Sequence, residues 1–433
     1  MRPKRSLPGF IWLVLALLAL SFFVGIDRVP FHPDETSWLA QSQDFEGYAS
    51  EPGRMAFSES AQVSAEMSYR LLNAPAAKYV LALGRRISGF PASAIPRDWD
   101  WTASWATNLE RGAVPDEGVL RAARLASTTM VALSLIPLFL VGRRIGGLGT
   151  GLLAAGLLAM DALALLHGRR AMAEGTLILS VTMVMAGVLW ADRYPWLTGL
   201  CLGFALATKQ STLPLLPIGL LGVAWSPGES RRIGWRLAIC CLAILGVWLI
   251  LNPVAWRQPS AALSAMAVER NRLVGQQVAD FRAQGGTQVI DAPGERLAAL
   301  IAAAFFSPPQ VREAANYDLA LGVAQAAYLA SPRSQALRGI GGGAAMLLLT
   351  LLGIAFGVRR VLGPDQPARR DSALLLLLTL AQVAGLLVAV PLAFQRYYVP
   401  LVPIFCLWSA LALAVGFGAI RGAVRGKPGR ASA

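Results

Sequence analysis

The 433-residue sequence predicts an all-helical polytopic membrane protein. Three observations carry that fold class. The chain is 55% hydrophobic and only 15% charged, with a mean hydropathy of +0.53, outside the range of ordinary soluble domains. It contains repeated apolar runs near the ~20 residues a spanning helix needs. Lysine and arginine gather at the ends of those runs, where the positive-inside rule puts them. That placement also explains the net charge of +14 and the pI near 10.4, so nucleic acid is not an expected partner.

Taken in order, the first apolar run is 10–26, behind the basic residues Arg2, Lys4 and Arg5. No small-x-small cleavage pattern follows it, and Asp27-Arg28-Val29-Pro30 resembles none, so the run reads as a retained signal-anchor helix. Further runs at 121–141, 150–166, 172–191, 197–208, 213–225, 237–251, 339–358, 372–390 and 399–420 bring the expected total to about ten spans. The pair 197–208 and 213–225 is short, which fits a hairpin that does not fully cross. Arg143-Arg144, Arg193, Arg231-Arg232-Arg236, Arg359-Arg360, Arg369-Arg370 and the tail residues Arg421, Arg425, Lys427 and Arg430 then alternate onto one side with the N-terminal cluster. Both termini are therefore expected in the cytoplasm.

Two long segments, 27–120 and 252–338, are left outside. Each holds a stretch of helical period with interspersed charge, 69–87 and 259–281, which suits an amphipathic helix on the membrane surface. The expected organisation is an N-terminal module over 1–251 that includes the first outer segment. A second outer segment, 252–338, would follow, and 339–433 would form the last spans and a basic tail. Cys201, Cys240, Cys241 and Cys406 lie in or beside apolar runs without zinc spacing, so no disulfide framework or zinc site is implied.

The polar stretch Phe31-His32-Pro33-Asp34-Glu35 follows the first span. Adjacent carboxylates beside a histidine suit general-base chemistry or a cation, and equally suit a helix N-terminus. The topology puts Asp161, His167, Arg169, Arg170 and Glu174, then Lys209, then Arg396 with Tyr397 and Tyr398, on the same side. Such a set suits reaction at a lipid-linked phosphate: arginine and lysine hold its oxygens while a carboxylate takes a proton from an attacking hydroxyl. A divalent metal ion, with His32, Asp34, Glu35 and Glu174 as candidate ligands, could neutralise the same charge. Plainer roles stand beside these: headgroup contact for Arg169-Arg170, a turn cap at Lys209, an interfacial anchor at Arg396, local hydrogen bonding for His167, and a structural acid at Asp161. Asp98-Trp99-Asp100 spells a metal-binding tripeptide of nucleotide-sugar transferases, but its tryptophan-rich outer loop fits surface packing. No GxxxxGK[ST], HExxH or GxSxG occurs, so nucleotide-triphosphatase, zincin and serine-hydrolase chemistry have no support.

Five segments in order carry a resemblance. They are His32-Pro33-Asp34-Glu35, Asn73-Ala74-Pro75-Ala76-Ala77-Lys78-Tyr79, Leu120–Leu125 running on to Gly142–Gly147, Gly168–Glu174, and Ala207-Thr208-Lys209 with Arg396–Pro403. Together they resemble the membrane glycosyltransferases of the GT-C fold, specifically the protein O-mannosyltransferases and the aminoarabinose transferases that modify lipid A. Ala74 and Ala76 depart from that family's first proline and leucine, and 259–337 matches none of its motifs. The resemblance implies an inverting glycosyltransferase moving a sugar from a polyprenyl-phosphate donor to a hydroxyl acceptor on protein, lipid or glycan. It would work in a bacterial inner membrane with its site facing the periplasm. In that reading Asp34 is the general base, and Glu35 and Glu174 orient the site or hold a metal. Lys78, Arg170, Lys209, Arg396 and Tyr397 meet the donor phosphate. A transporter or flippase for an anionic or lipid-linked substrate also needs buried charge, but predicts paired half-chains, and no internal repeat is present. A non-catalytic relative that only binds the lipid-linked sugar is opposed by the intact Asp34, Glu174 and Lys209.

Overall fold

The computed structural model describes residues 8–60, 62–225, 230–313 and 317–425. Arg2, Lys4, Arg5, Lys427 and Arg430 lie outside the described residues, as do the side chains of Arg231, Arg421 and Arg425. Among the described residues the fold is helical, with a single antiparallel bridge between Val289 and Leu392.

Helix α1 (Gly9–Ser21) carries no charge and packs on the bundle through Ile11 and Leu15. The first outer segment then folds as five short helices: α2 (Pro33–Gln41), α3 (Asp44–Ser50), α4 (Ala65–Leu72), α5 (Pro75–Ile87) and α6 (Trp105–Glu110). The expected single helix over 69–87 is broken in two. Pro75 disfavours helical backbone at the residue before it, and Ala74 is extended. Asp98 and Asp100 of the tripeptide are spent locally, on the Tyr69 hydroxyl and on Thr102 and Arg111, while Trp99 is buried among Phe31, Trp101 and Trp105.

The membrane bundle follows. Helix α7 (Glu117–Gly146) starts on the Asp116 side chain, which accepts from the Gly118 and Val119 amides. It leads to α8 (Leu148–Met160), α9 (Ala162–His167), α10 (Glu174–Leu189), α11 (Pro195–Thr208), α12 (Leu215–Ala224) and α13 (Ser230–Leu251). The run expected at 150–166 is therefore two helices. Asp161 is extended and caps α9 by accepting from Leu163 and Ala164, which turns the chain. The expected hairpin at 197–225 forms, with extended Lys209 at its break.

The second outer segment comprises α14 (Pro259–Ala283), α15 (Pro293–Ile301), a wide turn at Ala302–Phe306 and α16 (Asp318–Leu329). Helices α17 (Gly339–Val361), α18 (Gln366–Ala389) and α19 (Val402–Arg425) close the bundle, with a tight helical turn, Gln395–Leu401, before α19. Six of the described helical segments are long and apolar enough to cross a membrane: Gly9–Arg28, Glu117–Gly146, Arg232–Leu251, Gly339–Val361, Gln366–Ala389 and Gln395–Ala419. The other four expected spans are the shorter apolar helices α8, α10, α11 and α12.

Close approach of backbones holds the bundle, as expected where lipid supplies no hydrophobic contrast between helices. A Cβ on Gly353 would strike the Trp408 carbonyl where α17 meets α19, and one on Gly199 the Cys240 carbonyl where α11 meets α13. At one end of the bundle the arginines cap helix C-termini. Arg370 donates to the Trp225, Leu189 and Gly222 carbonyls, and Arg360 donates to that of Ile145. Arg144 holds Asp371 with two bonds of 2.6 and 2.9 Å and lies over Trp190.

Gly353→Ala is expected to lower stability by about 1–3 kcal/mol through overpacking. Gly416→Ala, whose added methyl meets nothing within 4 Å, is expected to be near neutral. Thermal unfolding of the two variants in one detergent checks the pair.

Candidate active site

The site lies where five chain breaks meet at one end of the bundle. The first is the start of α2. Pro33 takes the N1 position, its missing N–H costing nothing there, and His32 caps the helix by accepting the Asp34 amide at Nδ1. Glu35 reaches back to accept the His32 amide at 3.0 Å, completing a capping box.

The adjacent carboxylates therefore face opposite ways. Glu35 is fully buried, with Arg124 of α7 donating to both of its oxygens at 2.8 and 2.7 Å, and the Ala171 amide adding a bond of 2.8 Å. Burial raises the Glu35 pKa, but Arg124 and the hydrogen bonds outweigh it, so the group is held below its ordinary value. Glu35 has no oxygen left for a metal or a reaction. Of the two expected roles, orienting the site or holding a metal, the geometry leaves no free oxygen for the second; Glu35 is a strut between α2, α7 and the α9–α10 connection.

Asp34 points the other way, into a group drawn from distant parts of the chain. Arg396 bonds to the Asp34 carboxylate and also to Glu313, its second guanidinium nitrogen lying 3.0 Å from Glu313 Oε2. His32 Nε2 lies 3.6 Å from the same Glu313 oxygen. Lys209, at the α11–α12 break, donates to Glu174 at the start of α10 over 2.6 Å. Lys209 also acts electrostatically on Asp34. For Asp34 burial again pushes upward, but Arg396 and then His32 outweigh it, leaving the pKa below the ordinary carboxylate value; Glu313 is lowered by the same balance.

Glu313 was not among the sequence candidates, because nothing in Gln310-Val311-Arg312-Glu313 marks it. The fold delivers it. The Gln310 and Gln395 side-chain oxygens each accept the other's backbone amide, at 2.8 and 2.6 Å, while Ile290 donates to Pro391 and Ala393 to Gln288. These bonds fasten the second outer segment to the strand-like stretch just before Arg396. The Tyr317 hydroxyl then accepts the Glu313 amide at 2.9 Å.

Other candidates are placed elsewhere or differently. Lys78 is buried on Asp44 at 3.1 Å and on the Tyr69 carbonyl, with its pKa lowered by burial, so it does not join the Asp34 group. Arg170 is buried and donates to the Pro30 and Val311 carbonyls, and Arg169 to those of Leu165 and Val24. Both tie loops together instead of reaching headgroups. The Tyr397 ring lies 5.7 Å from the Arg396 guanidinium carbon. His167 is buried, with neither ring nitrogen hydrogen-bonded.

His32, Asp34 and Glu313 each offer a ligand atom, all within 4.8 Å of one another. Glu313 Oε1, buried without a hydrogen-bond donor, is open to a ligand there. The two carboxylates suit a hard divalent ion. In the neutral imidazole, His32 Nδ1 accepts the Asp34 amide, which leaves the ring proton on Nε2, so His32 could join only after a tautomer change. Glu174, held by Lys209, stands outside the ligand group.

Residues 57–257 match the family model described as dolichyl-phosphate-mannose-protein mannosyltransferase. No curated protein matches the sequence. Among solved structures the fold is similar to ArnT from Cupriavidus metallidurans bound to undecaprenyl phosphate, at 15% identity and a TM-score of 0.53, covering 97% of this chain and 64% of that one. It is also similar to the Archaeoglobus fulgidus oligosaccharyltransferase tethered to an acceptor peptide, at 14% identity and a TM-score of 0.54, covering 99% and 52%. A complex of the same archaeal enzyme, AglB, with an inhibitory peptide and a dolichol-phosphate gives 12% identity, a TM-score of 0.51, and coverage of 98% and 52%. The chain has the GT-C fold, and it spans about half the length of the archaeal enzymes it matches.

Two outcomes test this geometry. Arg124→Met strands a buried carboxylate and should cost about 3–5 kcal/mol, of which Glu35→Gln in the same chain restores part, read by unfolding in detergent. Because Asp34 and Glu313 are depressed in the fold, their contribution is present above the ordinary carboxylate range and lost as pH falls through the depressed values. The difference in Tm between wild type and Asp34→Asn should be flat from about pH 8 to 5 and close below about pH 4.

Proposed function

We propose that this chain is an inverting glycosyltransferase that takes a sugar from a polyprenyl-phosphate donor and passes it to a hydroxyl acceptor. The observation that carries the proposal is the contact of Asp34 with Arg396, beside the Lys209–Glu174 pair, in a GT-C fold. Arg396 and Lys209 bind the donor phosphate, and Tyr397 lies against the arginine. As the phosphate engages Arg396, Asp34 loses part of its counter-charge and becomes a stronger base. Asp34 takes the proton of the acceptor hydroxyl while its oxygen attacks the sugar carbon from the face opposite the phosphate. The carbon–oxygen bond to phosphate breaks, and the electron pair leaves on polyprenyl phosphate, whose charge Arg396 and Lys209 stabilise. The departing phosphate is already a weak base, so no acid is required.

Glu35 acts through position, fixing the start of α2, and Glu174 holds Lys209. A divalent ion bound between Asp34 and Glu313 would neutralise phosphate charge. We place the site on the periplasmic side of a bacterial inner membrane, with both termini cytoplasmic. The arginine-rich opposite end of the bundle supports that orientation. The second outer segment, 252–338, is the proposed acceptor region, since it brings Glu313 to the base.

The test is transfer of radiolabelled sugar from a panel of polyprenyl-phosphate donors to membrane acceptors. Asp34→Asn should remain folded, because Arg396 keeps Glu313, and should bind donor while losing turnover by about 10²–10⁴. Unchanged turnover would remove Asp34 from the role of base. Arg396→Ala should weaken donor binding as well as rate, since a phosphate contact acts in ground and transition states alike.

A further inference from the structure

A cavity of about 970 Å³ lies behind the active site, and none of His32, Asp34, Lys209, Glu313 or Arg396 lines it. Its walls are the end of α1 with the turn after it, the first two turns of α7, and α16 with the turn that follows. Arginine dominates its charge: Arg28, Arg121, Arg124, Arg169 and Arg333 face Asp27 and Glu117. Arg124 is neutralised by Glu35, and Arg121 lies 3.3 Å from Asp27. That leaves Arg28, Arg169 and Arg333 against Glu117. Arg28 has no acidic partner among the described residues, and Arg333 donates only to Ser21.

The apolar surroundings say what kind of anion would come here. Phe10, Leu13, Leu17, Leu20 and Val24 recur at helical spacing along α1 and the turn after it, and all are more than half exposed. This exposed stripe lies on a segment long and apolar enough to cross a membrane, and it ends at Val24 in the cavity wall. On the far side α16 contributes Leu321 and Ala324 to the lining and leaves Val323 exposed. An arginine floor between two apolar helix surfaces, at the end of that exposed stripe, matches an amphiphile with an anionic head.

The geometry points to a binding site for an anionic phospholipid, its phosphate on Arg28 and Arg333 and its acyl chains along the exposed face of α1. A diester phosphate gains from guanidinium groups that have no carboxylate partner among the described residues, and a zwitterionic headgroup, which brings its own cation, gains less. The site is independent of the transfer reaction and does not rest on it.

The experiment uses the full chain in phosphatidylcholine nanodiscs containing a small fraction of fluorescent phosphatidylglycerol, with retained label read by energy transfer from tryptophan. Wild type should retain phosphatidylglycerol over phosphatidylcholine. Arg28→Gln with Arg333→Gln should reduce that retention roughly thirty-fold, as expected for two surface arginines. Arg28→Gln alone, which disturbs no contact in the fold, should give roughly a fivefold loss and keeps the test valid if the double variant unfolds. Inorganic phosphate should not displace the label. Equal retention of phosphatidylcholine, an unchanged Arg28→Gln variant, or displacement by free phosphate would each overturn the proposal. Displacement by polyprenyl phosphate at equal concentration would overturn it too, by assigning the cavity to the donor.

Discussion

The active-site end of the protein depends on one buried ion pair, Glu35 with Arg124. A carboxylate with no exposure to solvent is tolerated only when every oxygen is satisfied, and here two guanidinium hydrogen bonds and two backbone amides do so. Those four bonds come from three parts of the chain. They fix the first turn of α2 against α7 and against the connection from α9 to α10. Asp34 is thereby turned away from Glu35 on a backbone held by those bonds, which fixes its carboxylate against Arg396.

Around that fixed point the site is a set of exchangeable ion pairs. Arg396 serves both Asp34 and Glu313, and Lys209 serves Glu174. In the proposed reaction each cation exchanges its carboxylate for a phosphate oxygen without leaving the neighbourhood. The pairs seen here keep these buried charges from being stranded. By contrast Lys78 and Arg170 are fully buried on fixed partners, so moving them would cost far more than moving Lys209, which is partly exposed.

Much of the architecture was legible because membrane spans are written in hydropathy and charge, and both are local properties. The positions of Asp34, Lys209 and Arg396 were legible for a related reason: charged residues at the ends of apolar runs are rare enough to notice. What was not legible was direction. Asp34 and Glu35 are neighbours of the same chemistry, and only the capping geometry shows that one is a strut. Glu313 was invisible because its placement is made by Gln310 and Gln395, two amides with no sequence pattern linking them. The place of Lys78 was not legible either, because charge and spacing cannot reveal that Asp44 lies beside its ammonium group.

The contact between Arg396 and Asp34 joins residues 362 positions apart. During synthesis the carboxylate leaves the ribosome early, and its cation emerges only when most of the helices have been inserted. Glu313 likewise waits for Gln395 to emerge before it can be fastened in place. A nascent chain therefore carries the Asp34 carboxylate without its cation. The cluster is complete only once the segment that carries Arg396 has been added, so any shorter chain holds Asp34 and Glu313 without their shared cation.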